Sequence, residues 1–134
     1  MIEQVHPNFI QQLWPKIGRM LERALEFSGG EYSAEHLRMM LVRGEQLLFV
    51  ATEEDKIIGA WTIEFANFPN DRVAFITAIG GRLIARPDLF EELKTLLRQH
   101  GCTKIKGEAR EAVARLWHQK FGIEAPRLIV EMKL

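Results

Sequence analysis

One cysteine, Cys102, is all the thiol this chain carries. No internal disulfide can form, so the fold must be held by its core, and a reducing, cytoplasmic setting is the expectation. Charge of one sign is missing as well, because 18 Lys and Arg balance 18 Asp and Glu. A nucleic-acid surface needs a cationic surplus, so nucleic acid is set aside as a partner. Neutrality also removes self-repulsion and leaves an oligomer open. No apolar run approaches the roughly 20 residues of a membrane span. Residues 1–6 lack the basic start and apolar stretch of a signal peptide. The four histidines, His6, His36, His100 and His118, show no H-x-x-x-H spacing, so no metal site is expected. Glycine and proline gather in no linker and no repeat is visible, which argues for one domain over residues 1–134.

What is present is ordinary globular material, 47% hydrophobic and 27% charged, enough for a core without staples. Met1 to His6 reads as a short first strand. From Pro7, apolar residues at Ile10, Leu13, Trp14, Ile17, Met20, Leu21, Ala24 and Leu25 fall at helical spacing. Pro15 interrupts that run and predicts a kink or a fresh start. Ser33 is the expected N-cap of a second helix that ends at Gly44. Three strands follow, Gln46–Thr52, Ile57–Phe68 and Arg72–Ile79, joined by the polar turns 53–56 and 68–71. The third is apolar on both faces, the pattern of a central, covered strand.

The period then returns to 3.6. Pro87 and Asp88 open a helix closed by Gly101, Thr103–Arg110 reads as a strand, and Glu111–Phe121 reads as a helix with Gly122 just past its end. Leu128, Val130 and Met132 alternate with Ile129, Glu131 and Lys133, which predicts a final strand. The expected class is α/β (α+β). The order β-α-α-β-β-β-α-β-α-β gives a mixed, mostly antiparallel sheet flanked by helices, with one parallel crossover over residues 72–110.

That order, with Ala114-Arg115-Leu116-Trp117-His118-Gln119-Lys120-Phe121-Gly122-Ile123 on the last helix, resembles the GNAT (Gcn5-related N-acetyltransferase) superfamily. The family commonly carries A-x-x-L-Y-x-K-x-G-F there, and Asp55-Lys56-Ile57-Ile58-Gly59-Ala60 is similar to its hairpin segment. The resemblance implies acyl transfer from acetyl-CoA to a small-molecule amine. Its usual cofactor signature, Q/R-x-x-G-x-G/A before the third helix, is replaced by Ala78-Ile79-Gly80-Gly81-Arg82-Leu83-Ile84-Ala85-Arg86-Pro87-Asp88. Here the glycines precede the arginines, Pro87 removes a donor, and Asp88 brings negative charge to the helix start. Segments 68–75 and 77–82 are also similar to short GNAT-like proteins of tailed bacteriophages, including internal virion proteins. That likeness implies a second reading: a non-catalytic protein that binds a protein partner or belongs to a virion.

Within the resemblance, His118 takes the position of the family's tyrosine acid, and imidazole suits proton donation near neutral pH. The plain alternative is a solvent-facing helix residue. Glu64 on the second long strand and Glu108 near the end of the fifth strand are candidate bases for an ammonium, or solvated charges. Ile79, Gly80 and Gly81 are candidates to approach a cofactor backbone to backbone, or a tight turn. Arg82 and Arg86 are candidates for phosphate, or solubilising charges.

Overall fold

The structure, a computed structural model, describes residues 1–26, 29–82 and 86–134. Strand β1 (Ile2–Val5) leads through a 3-10 turn at Pro7–Phe9 into helix α1 (Ile10–Leu25). Helix α2 (Ala34–Val42) is followed by strands β2 (Leu47–Glu53), β3 (Lys56–Asn67) and β4 (Arg72–Gly81). Helix α3 (Pro87–Gln99), strand β5 (Lys104–Gly107) and helix α4 (Glu111–Phe121) complete the order.

The five strands form one sheet in the order β1-β2-β3-β4-β5. Short connections can only make antiparallel neighbours, and β2, β3 and β4 pair that way. The β2–β3 turn places Glu54 and Asp55 at positive φ, 52° and 63°, which matches the twist of the flanking strands. The α3 crossover instead brings β5 in parallel to β4, with Val73 opposite Lys104 and Ile76 opposite Gly107. The mixed, mostly antiparallel sheet is therefore the expected one.

Each face of the sheet has its own apolar cluster. Ile10, Ile17 and Leu21 of α1 and Leu37 and Leu41 of α2 bury against Leu48, Val50, Ala60 and Ala78. Leu89, Phe90, Leu93 and Leu97 of α3 bury against Phe49, Trp61, Ile63, Ala74 and Ile76. Each such side chain contributes about 1.5–3 kcal/mol by leaving water. Phe121 of α4 stacks on Phe90 with centroids 4.4 Å apart, which fixes the last helix beside α3.

Two expectations change. Of the two expectations at Pro15, the fresh start does not occur: α1 runs from Ile10 to Leu25 with Pro15 inside it. Burial of Ile10 on one side of the proline and of Ile17 and Leu21 on the other holds the helix together against the lost hydrogen bond. The final strand at 128–132 does not form, and residues 122–134 belong to no strand. Alternation specifies which side chains share a face, but a strand also needs a neighbour for its backbone groups. None of the five strands pairs with this segment.

Candidate functional site

The parallel ladder between β4 and β5 is short. It ends at Ile76 and Gly107, while β4 runs on to Gly81. Beyond Ile76 the two strands part, and the alternate β4 amides that point away from β3 have no strand to bond. A cavity of about 1040 Å³ opens at this divergence. Thr77 to Gly81 form its floor, Val113 and Trp117 of α4 one wall, and Met20 with Arg19 and Arg23 of α1 another.

Carboxylates enter from several elements. Glu64 comes from β3, in register with Phe75, and Glu108 comes from the chain just past β5. Both line the cavity, so the structure brings these two sequence candidates together. Glu31 and Glu131 join them, with Arg110 on the same rim. Trp117 is buried, and its indole Nε1–H has no acceptor.

Behind the floor lies a polar cluster. Thr77 donates its hydroxyl proton to the Gln46 Oε1 at 2.6 Å, and the Thr62 and Thr77 hydroxyls are 2.6 Å apart. Thr62 and Gln46 are buried, and Thr77 is half-buried at the cavity floor. It sits beside the register shift between Thr62 and Ile63, where β3 bulges. This network fixes the stretch of β4 that forms the cavity floor.

The residues expected to hold a cofactor divide. Ile79, Gly80 and Gly81 line the cavity. Their glycines answer to the chain itself. A Cβ on Gly80 would stand 2.9 Å from the Met20 carbonyl oxygen, and one on Gly81 would overlap the Ile58 carbonyl oxygen. Gly81 also sits at φ +81°, which favours glycine. Arg82 is exposed and outside the cavity lining. Arg86 is engaged by Asp88 at 2.9 Å and by Glu53 at 3.0 Å. Residues 83–85, the bulky stretch before α3, lie outside the described residues.

The start of α3 is occupied in the same way. Pro87 stands in its first turn, and Asp88 brings an acidic side chain there. The hydrogen bonds from Arg86 hold the Asp88 carboxyl down to about 2. The chain's own anion thus takes the place where a helix N-terminus would receive a diphosphate.

His118 faces elsewhere. It is exposed, absent from the cavity lining, and its Nδ1 lies 3.0 Å from the Ile123 carbonyl oxygen. That oxygen can only accept, so Nδ1 donates. Cys102 is buried, and its burial pushes the thiol up from its usual range. Among the described residues no group of His, Cys, Asp and Glu could hold a metal ion. No helix among them is long and apolar enough to cross a membrane.

Sequence reasoning passed over Arg19, Arg23 and Trp117. The arginines read as the polar face of an amphipathic helix, and the tryptophan reads as core. Only their meeting at the β4–β5 divergence marks them.

No protein-family model matches the chain, and no curated protein resembles it by sequence. Its architecture is nevertheless shared. The chain has a GNAT-like fold. An aminoglycoside acetyltransferase from an uncultured soil metagenomic sample, solved with trehalose and with sisomicin, superposes at a TM-score of 0.69 and 20% identity, over 100% of this chain and 95% of that one. A predicted acetyltransferase from Clostridium acetobutylicum, solved with acetyl-CoA, superposes at 0.66 and 17% identity, over 99% and 95%. A ribosomal-protein-alanine N-acetyltransferase from Brucella melitensis superposes at 0.70 and 12% identity, over 100% and 99%. At these identities the likeness is one of fold.

Proposed function

We propose that this GNAT-like protein is an N-acyltransferase whose cleft at the β4–β5 divergence receives an acyl thioester and a small-molecule amine. The observation that carries the reading is the unpaired β4 edge from Thr77 to Gly81, open to a cavity that also holds Glu64 and Glu108.

The fit to acetyl-CoA is divided. The arm that bears the thioester is a chain of amides, and the free β4 amides and the apolar wall at Val113 suit it. Among the described residues, the start of α3 is taken by the Asp88–Arg86 pair, which weakens its pull on a diphosphate. A bound acyl thioester would supply the activated carbonyl. The β4 amides would donate to carbonyl oxygens in the cleft, in a site partly screened from water where such bonds count for more. Glu64 or Glu108 would take the proton from an ammonium and free its lone pair for attack; the N–C bond would form as the C–S bond breaks, and the sulfur would leave as a thiol with the proton the attacking amine gives up.

The test is transfer from acetyl-CoA and from acetyl-pantetheine to a panel of amines. Activity should appear with either donor, because the Asp88–Arg86 pair at the start of α3 reduces the advantage of the nucleotide. Loss of one proton acceptor should lower kcat by about 10²–10⁴ in Glu64→Gln or Glu108→Gln. Lack of transfer from both donors would instead support the second reading, a non-catalytic binding or virion protein. Full activity in both variants would remove the carboxylates from the reaction.

A further inference from the structure

The main cleft is divided by charge. Glu64 and Glu108 stand at one end: Glu64 is in register with Phe75, and Glu108 follows Gly107, which is in register with Ile76. Arg19 and Arg23 of α1 stand at the other end. Met20, beside Arg19 in the chain, lies against Gly80, so α1 crosses β4 there. Gly80 pairs with Ala60, four residues along β3 from Glu64. Four strand residues put about 13 Å between those two backbone positions.

Glu64 and the arginines share one face of the sheet. Trp61 and Ile63 bury against α3, so Glu64, of the opposite parity, faces the α1 side, as Ala60 does. Arg19 and Arg23 are one helical turn apart and project from one face of α1. The helix alone does not account for them. Arg23 lies in the last turn, where a cation suits the helix dipole, but Arg19 lies a turn further in. Like charges at this spacing repel and weaken a helix. Arg38, Arg43 and Arg86 each pair with a carboxylate, whereas Arg19 and Arg23 have none within ion-pair distance among the described residues. Glu31, which also lines the cleft, turns its carboxylate over Gly29 instead. Arg110 and Glu131 add one charge of each sign to the rim. Two guanidinium groups on one wall of a cleft suit a carboxylate brought from outside.

We infer that the acceptor taken by this cleft is an amine that also bears a carboxylate, several bonds from the nitrogen. The ammonium lies at Glu64 and Glu108, and the carboxylate lies between Arg19 and Arg23. The glutamate and arginine side chains both reach into the span between β3 and α1, which leaves room for a chain the length of an ω-amino acid. An amine without the anion leaves the arginines unpaired, and one with a second ammonium meets them as like charge. The transfer in this inference rests on the acyltransferase reading; the binding rests on the charge layout alone.

The probes are 6-aminohexanoate, hexylamine and 1,6-diaminohexane, with acetyl-pantetheine as donor so that no donor phosphate competes for the arginines. kcat/KM should be about 10–100 times higher for 6-aminohexanoate than for hexylamine, the gain from one or two charge-assisted hydrogen bonds. In Arg19→Gln/Arg23→Gln the ratio should fall to about one, because the donors to the carboxylate are gone. In Arg19→Glu/Arg23→Glu, 1,6-diaminohexane should become the best acceptor. Both variants change an exposed helix face, and an unchanged melting temperature checks that each folds. Binding is read separately, by NMR of the arginine Nε–Hε groups. Titration with 6-aminohexanoate should shift the two resonances that the double glutamine variant lacks, and hexylamine should leave them in place. Equal kcat/KM for the two monoamines, or a ratio that survives in the double glutamine variant, would overturn the inference and leave the acyltransferase reading standing. So would a defect of that variant confined to acetyl-CoA as donor, which would assign the arginines to its phosphates. No transfer to any amine, with the two resonances still shifted, would sink the transfer and keep the carboxylate site. No transfer and no shift would overturn both.

Discussion

Arg86 holds Asp88 through both carboxylate oxygens, with Nε donating to Oδ1 at 3.0 Å and Nη2 donating to Oδ2 at 2.9 Å. This pair decides what the start of α3 can bind. A helix N-terminus ordinarily offers positive potential to an anion, and here Asp88 uses it. Glu53 holds the same guanidinium from the β2 end, so the arginine is shared by two carboxylates.

The pair makes Asp88 an unusually strong acid. Its hydrogen bond to Arg86 is the largest cause, and the folded value is about 2. A depressed carboxyl contributes stability that is present above the ordinary aspartate range and lost as pH falls through about 2. The group is fully exposed, so the effect on stability is small and titration is the better readout. Carboxyl ¹³C NMR should show Asp88 titrating with a midpoint near 2 and moving back toward the ordinary aspartate range in Arg86→Ala. An ordinary midpoint in the intact protein would mean that the pair does not persist in solution.

The cavity floor depends on Thr77. Replacement by Val keeps the shape but leaves the Gln46 Oε1 without its Thr77 donor inside the protein. Burying an unpaired acceptor costs about 1–3 kcal/mol, so Thr77→Val should lower unfolding stability by that amount in urea. A change under about 0.5 kcal/mol would show that the cluster is satisfied in another way.

His118 should behave as a structural residue at the end of α4. Its bond to the Ile123 carbonyl stands beside Gly122, whose φ of 71° turns the chain out of the helix. His118→Ala should cost about 0.5–1.5 kcal/mol, the net worth of an intramolecular hydrogen bond, and should leave acyl transfer unchanged. A fall in kcat of about 10² or more with an unchanged melting temperature would place the imidazole in the reaction.

Much of the architecture was legible because it is written in local patterns. The 3.6 period at Leu89, Phe90, Leu93 and Leu97 gives α3, and all four are buried. Ser33 caps α2 by accepting from the His36 N–H, as its position predicted. Short polar turns give the antiparallel meander, and the long crossover gives the parallel pair. Where the pattern failed, a long-range partner decided. Pro15 looked like a break, but α1 is held by contacts to β4 and α2. Residues 128–132 looked like a strand, but no strand edge of the same chain receives them.

The candidate site divides along the same line. The sequence by itself determined that Glu64 and Glu108 were available, that the usual glycine spacing was absent, and that Asp88 stood at a helix start. Those are facts of residue type and order. Tertiary structure alone decided that Glu64, Glu108, Arg19 and Trp117 meet around one cavity, that Gly80 and Gly81 make room for Met20 and Ile58, and that Arg86 is already engaged. The physical reason is range: helix and strand periods are set by neighbours a few residues apart, whereas a cleft is made where β4 and β5 part, by side chains that share no local pattern.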